Sequence, residues 1–121
     1  MKRRTLKRLR PKRQPKDHHH VYVVLLDPAV GKIRTVRVAN PDRDRKKPCV
    51  YVGMTGVSPE ERFQNHKAGH KASHYVQTYG VRLLPELFEH LNPMPFEAAC
   101  QMEKELSEEL RDQGYTVCGG T

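Results

Sequence analysis

The sequence predicts a small α+β domain with a basic N-terminal arm, and three observations carry that reading. The run Val21-Tyr22-Val23-Val24-Leu25-Leu26 is apolar throughout and has the length of a buried strand. A second β-prone run, Val50-Tyr51-Val52, ends at Gly53. Two segments bounded by helix start and stop signals follow, Ser58 to Gly69 and Pro95 to Gly114. At 121 residues, of which 36% are hydrophobic, the chain suffices for one modest core and not for two.

Charge is unevenly placed. The net charge is +8, yet residues 1–16 hold nine Lys or Arg and no acid, which leaves 13 basic against 14 acidic residues in the remainder. The basicity therefore belongs to an appendage. Residues 1–17 are expected to be a disordered arm, because so dense a charge run buries too little apolar surface to fold. Arg3, Arg4, Lys7, Arg8, Arg10, Lys12 and Arg13 would serve a polyanion, with nucleic acid the favoured partner through counterion release. The bland alternative is a solubility or targeting tail, and an anionic membrane surface has no apolar anchor to support it. No apolar run approaches 18 residues and no apolar segment follows the charged N-terminus, so neither a membrane span nor a secretory leader is expected and the default compartment is cytoplasmic. Cys49, Cys100 and Cys118 are odd in number and widely spaced, which predicts reduced thiols rather than a disulfide framework or a CxxC zinc site.

Taken in order, the arm leads through His18-His19-His20 into the first strand. Consecutive strand residues alternate in direction, so these histidines read as solvated linker rather than as a metal site. Asp27-Pro28 and Gly31 mark a turn. Ile33 to Val38 reads as a short, imperfectly alternating strand, and Asn40 to Pro48 as a polar loop. Between Lys32 and Lys47 stand seven basic and two acidic residues, either a second phosphate-facing surface or a solvated hairpin. Cys49 to Met54 is the next strand. Ser58, Pro59 and Glu61 then form the start of a helix, a capping residue followed by proline and an acid, with Gly69 as its stop. Ser73 to Tyr79 is a second, shorter helix with Gly80 at its C′ position, and Val81 to Leu84 a third strand at or near an edge, where Pro85 is tolerated. The last helix spans Pro95 to Gln113, stops at Gly114 and is followed by a short Tyr115–Cys118 segment.

Two helix faces hold the candidate chemistry. At about 100° per residue, Arg62, His66 and His70 share one face of the first helix, beside Phe63. On the last helix Phe96, Ala99, Cys100, Leu106 and Leu110 form the apolar stripe, and Glu103 falls within it. A carboxylate so placed costs several kcal/mol unless it is paired, hydrogen-bonded or bound to a metal. A buried ion pair, an edge position that reaches water or a metal-binding role satisfies that demand. His66, His70 and His74 recur every fourth residue, but Gly69 ends the helix before a zinc site of all three could form.

In order along the chain, His20-Val21-Tyr22, Tyr51-Val52-Gly53-Met54-Thr55, Arg62 with His66, and Glu103 followed by Leu106, Leu110, Gly114 and Tyr115 together resemble the GIY-YIG nuclease superfamily over roughly residues 20–120. The resemblance implies a small antiparallel three-stranded sheet flanked by helices, with the Lys32–Pro48 region as an inserted hairpin or loop, over a domain spanning 18–121. It implies a metal-dependent endonuclease, with Mg²⁺ or Mn²⁺ held by Glu103, Arg62 clamping the scissile phosphate, Tyr22 as general base and Tyr51 beside it positioning water or phosphate. His66 would relay protons or bind phosphate, and His70 would contribute to nucleic-acid binding. The departures are His20 in place of the first glycine, a longer gap between the two motifs, and no late asparagine near Tyr115.

The expected substrate is DNA, with RNA open. Substrate structure, sequence preference, biological role and oligomeric state are not legible. The rivals are a catalytically inactive nucleic-acid-binding module of the same fold and a small accessory protein docked to an RNA assembly by its tail. A binding module has no need of a carboxylate in an apolar stripe, whereas a basic tail suits all three.

Overall fold

The computed structural model describes residues 17–120. The seven arm cations named above lie outside the described residues. Asp17, counted with the arm from sequence, is buried at 3% exposure.

Among the described residues one sheet has four strands in the order β3-β1-β2-β4, where β1 is His20–Leu26, β2 Cys49–Thr55, β3 Gly80–Leu83 and β4 Thr116–Gly119. β1 is central, as its two-sided apolarity predicts: Val21, Tyr22, Val23, Val24 and Leu26 are all buried. It pairs antiparallel with β2 in unbroken register, from His20 opposite Thr55 to Leu26 opposite Cys49, and antiparallel with β3 across an irregularity at Leu25/Leu26. The edge placement expected for the third strand holds. The three-stranded antiparallel expectation does not, because β4 adds a fourth strand parallel to β2, with Tyr51 opposite Cys118. Its four residues are too short to announce themselves, and they become a strand only by docking on the preformed edge of β2.

The α-helices among the described residues are α1 Arg34–Ala39, α2 Pro59–Lys67, α3 His74–Tyr79 and α4 Phe96–Asp112. At α2 the Ser58 hydroxyl accepts from the Glu61 N–H, and Gly69, at φ +84°, leaves the helix in the left-handed region that glycine tolerates. α3 is capped by Ser73, whose Oγ accepts from Tyr75 N. Gly80 is not its left-handed C′ residue: φ is −66°, and glycine is required because a Cβ would lie 2.4 Å from the Val76 carbonyl oxygen. The Lys67 ammonium donates to the carbonyls of Val76, Gln77 and Gly80, closing the end of α3 instead.

Three further expectations change. Ile33–Val38 is not a strand: a 3₁₀ turn over Pro28–Lys32, begun by Asp27 accepting from Ala29 N, runs into α1, so Lys32–Pro48 is a helix and a turn-rich loop rather than a hairpin. Asn40 secures that segment. Its amide donates to the carbonyls of Val36 and Val117 and its oxygen accepts from Val117 N and Arg111 Nε, so one buried side chain joins α1, β4 and α4. In α4 the buried residues are Ala99, Leu106, Ser107 and Leu110, while Phe96 of the expected stripe is 52% exposed and sets its ring edge-on to His19. His19 and His20 are partly buried, not solvated linker, and His19 exchanges backbone hydrogen bonds with Met94.

Candidate active site

Strand register brings the two tyrosines together. Val24 stands opposite Tyr51 and Tyr22 opposite Gly53, so Tyr22 and Tyr51 project from one face of adjacent strands. Their rings are 6.2 Å apart, centroid to centroid. Two glycines make the room. A Cβ on Gly53 would lie 2.6 Å from the Tyr22 hydroxyl oxygen and 3.0 Å from Tyr51 Cε2, and one on Gly119 would lie 2.6 Å from Tyr51 Cε1. Gly53 thus ends the β-prone run because the tyrosine pair occupies the space any side chain would need.

His66 of α2 completes the cluster. It is fully buried, with ring centroids 6.0 Å from Tyr22 and 5.7 Å from Tyr51. Its Nε2 lies 2.8 Å from the Tyr22 hydroxyl, and its Nδ1 accepts from the Ser73 backbone N–H at 2.9 Å. A backbone amide can only donate, so Nδ1 carries no proton, and the neutral ring holds its hydrogen on Nε2 and donates it to the Tyr22 oxygen. Burial, with Arg62 as a lesser cause, lowers the His66 pKa to about 4, which keeps it in that state at neutral pH.

The phenols are held neutral too. Burial first, then Tyr51, raises the pKa of Tyr22, while the nearby Arg62 guanidinium partly offsets the rise and Glu103 adds to it. Tyr51 is raised chiefly by burial, with Glu103 adding to the rise and Ser73 and Arg62 working against it. Both tyrosines therefore feel Arg62 and Glu103, which brings four of the expected site residues around Tyr22. Arg62 is partly buried, and its Nη1 and Nη2 donate to the carbonyls of His70 and Lys71, pinning the turn after α2. Glu103 is half-buried at the margin of the α4 stripe rather than in its middle, and its pKa is raised by that burial. His70 does not join them: α2 ends at Lys67, and the residue lies exposed beyond the Gly69 turn.

Sequence reasoning missed Ser73 as the group that sets the His66 tautomer, because a backbone donor leaves no mark in residue identity. It also left Gly119 unassigned, since only the three-dimensional stacking of β4 on β2 brings that residue under Tyr51. A cavity of about 750 Å³ lies elsewhere, at the end of the sheet where β1 finishes and β2 begins. Compared with protein-family models, with curated proteins and with solved structures, the chain finds no significant match.

Proposed function

We propose that the chain is a metal-dependent endonuclease hydrolysing phosphodiester bonds of DNA, the activity its GIY-YIG resemblance implies. The supporting observation is the convergence of Tyr22 from β1, Tyr51 from β2 and Arg62 and His66 from α2, with Glu103 of α4 within electrostatic reach of both phenols. Phosphodiester hydrolysis calls for a water nucleophile, charge stabilisation at the phosphoryl oxygens and help for the leaving oxygen.

Arg62 uses two N–H groups on its own loop and lies beside Tyr22, and its remaining donors would suit a phosphate, where charge-assisted bonds strengthen as negative charge develops. Because His66 donates to the Tyr22 oxygen, the Tyr22 hydroxyl hydrogen is left for another acceptor, and the Tyr51 phenol is the one beside it. General-base action by Tyr22 requires the phenolate, and the Nε2–H of His66 and the Arg62 guanidinium are the groups that would stabilise it. Glu103 is the candidate metal ligand. Among the described residues no three His, Cys, Asp or Glu side chains converge. A single, partly dehydrated carboxylate suits Mg²⁺ or Mn²⁺, which keep several waters and take further ligands from substrate phosphates, and does not suit zinc. When bound, such an ion neutralises phosphoryl charge and activates water.

One observation favours the runner-up, an inactive nucleic-acid-binding module of the same fold. Tyr22 is only 1% exposed and hydrogen-bonded to His66, the arrangement of a satisfied core pair. Cleavage of supercoiled, linear, flapped and single-stranded DNA with Mg²⁺ or Mn²⁺ separates the two. Wild type is expected to cut in a metal-dependent manner, and Glu103→Ala to lose on the order of 10²–10³-fold or more in rate. Salt-sensitive binding without cutting by the wild type selects the binding module.

A further inference from the structure

The cavity at the far end of the sheet has a volume of about 750 Å³ and is walled by Lys32, Arg37, Arg43, Arg45, Lys46 and Lys47 against a single carboxylate, Asp27. That carboxylate is engaged, since its Oδ1 accepts from Ala29 N as the cap of the 3₁₀ turn. Of the two other acids in the loop, Asp44 accepts from Lys46 N and Asp42 lies on a neighbouring small cavity with Arg43 and Arg111. The loop that carries the cations is anchored at both ends rather than loosely solvated. Asn40 ties its start to β4 and α4, Asp44 N donates to the Gly114 carbonyl at 2.8 Å, and the Lys47 ammonium sits 5.2 Å from the centre of the Tyr115 ring. Arg43 is seated on Gly31, where a Cβ would approach its Nη1 to 3.0 Å. The protein thus gathers like charges around a concavity and fixes the backbone that bears them, at a cost in mutual repulsion that folding alone does not require.

We propose that this concavity binds the phosphate backbone of a nucleic acid, as a contact separate from the tyrosine cluster. It rests on the reading that the partner is nucleic acid. Six cations spread over a cavity of this size match several successive phosphates better than one small anion, and backbone contacts of this kind position a substrate without reading its bases. The position suits that task. The cavity wall includes Leu26, four residues along β1 from Tyr22, and Cys49, two residues along β2 from Tyr51, which at about 3.3 Å per residue sets it roughly 7–13 Å from the tyrosines. A strand held there extends toward the cluster.

The test is binding of a fluorescein-labelled DNA duplex and of the matching single strand to the full chain, followed by anisotropy over a series of salt concentrations. Arg45→Ala/Lys46→Ala removes two exposed cavity cations. Lys104→Glu, on α4 and away from the cavity, changes net charge by the same two units. The cavity variant is expected to bind about tenfold or more weakly and to lose about two from the slope of log K against log salt, one for each phosphate contact, whereas Lys104→Glu leaves the slope unchanged. Equal losses in the two variants, or none in either, overturn the proposal while leaving the nuclease reading intact, because DNA is still bound. Competition by inorganic phosphate or pyrophosphate at equimolar concentration with DNA phosphate also overturns it, in favour of a small-anion pocket. No binding of either nucleic acid by the wild type removes the nucleic-acid reading itself, and cutting assays then stand apart as the test of chemistry.

Discussion

The two ends of the sheet solve opposite electrostatic problems. At one end Tyr22, Tyr51 and His66 are packed together and all held neutral, with His66 pushed down to about 4 and both phenols pushed up by burial. At the other, six cationic side chains surround a concavity open to solvent. The dry end holds its groups in one geometry, because Tyr22 and both nitrogens of His66 have fixed partners. The wet end can supply attraction but little geometry, since exposed charges are screened within about 10 Å at ordinary salt. The proposed chemistry lies at the first end and the proposed phosphate contact at the second, and the division can be tested by substitution at either end.

The largest effect is expected at Gly53. Its missing Cβ is the space in which Tyr22 Oη and Tyr51 Cε2 lie, so Gly53→Ala must displace at least one ring from a buried, hydrogen-bonded position. Overpacking of this kind costs about 1–3 kcal/mol, and the lost Tyr22–His66 hydrogen bond adds to it. Urea denaturation is expected to show a fall at the upper end of that range, together with loss of any cleavage activity. A variant as stable as wild type would mean that the tyrosine end is far looser than its packing implies, and the contrast between the two ends would fail.

Next in size is acid sensitivity. His66 has a folded-state pKa of about 4 against an ordinary value near 6.5, so between these limits the unfolded chain binds the extra proton and stability rises with pH. Its contribution is intact above pH 6.5 and is lost as pH falls toward 4, by about 1 kcal/mol between pH 7 and 5.5 and on the order of 3 kcal/mol below pH 4. Glu103 runs the other way, because burial raises its pKa and folding is then favoured by protonation. The comparison that isolates the histidine is therefore wild type against His66→Gln, measured as denaturation midpoint from pH 7 to 4.5. The wild type is expected to lose stability in acid more steeply than the variant; parallel curves would show that His66 does not stay neutral in the fold.

The same division explains what was legible in the sequence. The dry end was written in residue identities: an uninterrupted apolar run gave the central strand, Tyr-Val-Gly the second tyrosine, and the capped helix placed Arg62 and His66 four residues apart on one face. What escaped there depends on tertiary placement. Ser73 acts through its backbone N–H, Gly119 through the stacking of β4, and His70 was misplaced because the helix that would have aligned it stops at Lys67. The wet end was legible only as composition. Ile33–Val38 alternates just well enough to pass for a strand, and it is the Asn40 network, joining residues up to 77 apart in sequence, that makes a helix and an anchored loop of Lys32–Pro48. A polar hub of this kind carries no local periodicity, so pattern reading sees a charged loop where the fold builds a cavity.

The smallest effect belongs to the cavity, and its smallness is informative. Arg45 and Lys46 are exposed, and the anchoring contacts of their loop are made by backbone groups and by Asn40, Asp44 and Lys47 rather than by the Arg45 and Lys46 heads. Arg45→Ala/Lys46→Ala should therefore change stability by no more than about 0.5 kcal/mol, the range of ordinary surface substitutions. Because it relieves repulsion among like charges, the sign at low salt should be stabilising, and the difference from wild type should vanish as salt is raised. Urea denaturation at two ionic strengths measures it. A destabilisation above 1 kcal/mol at both would make these side chains part of the fold's scaffold, and the weaker DNA binding expected of the same variant would then have a structural cause. Stability held constant alongside a shallower salt dependence of binding assigns the charges to the partner alone.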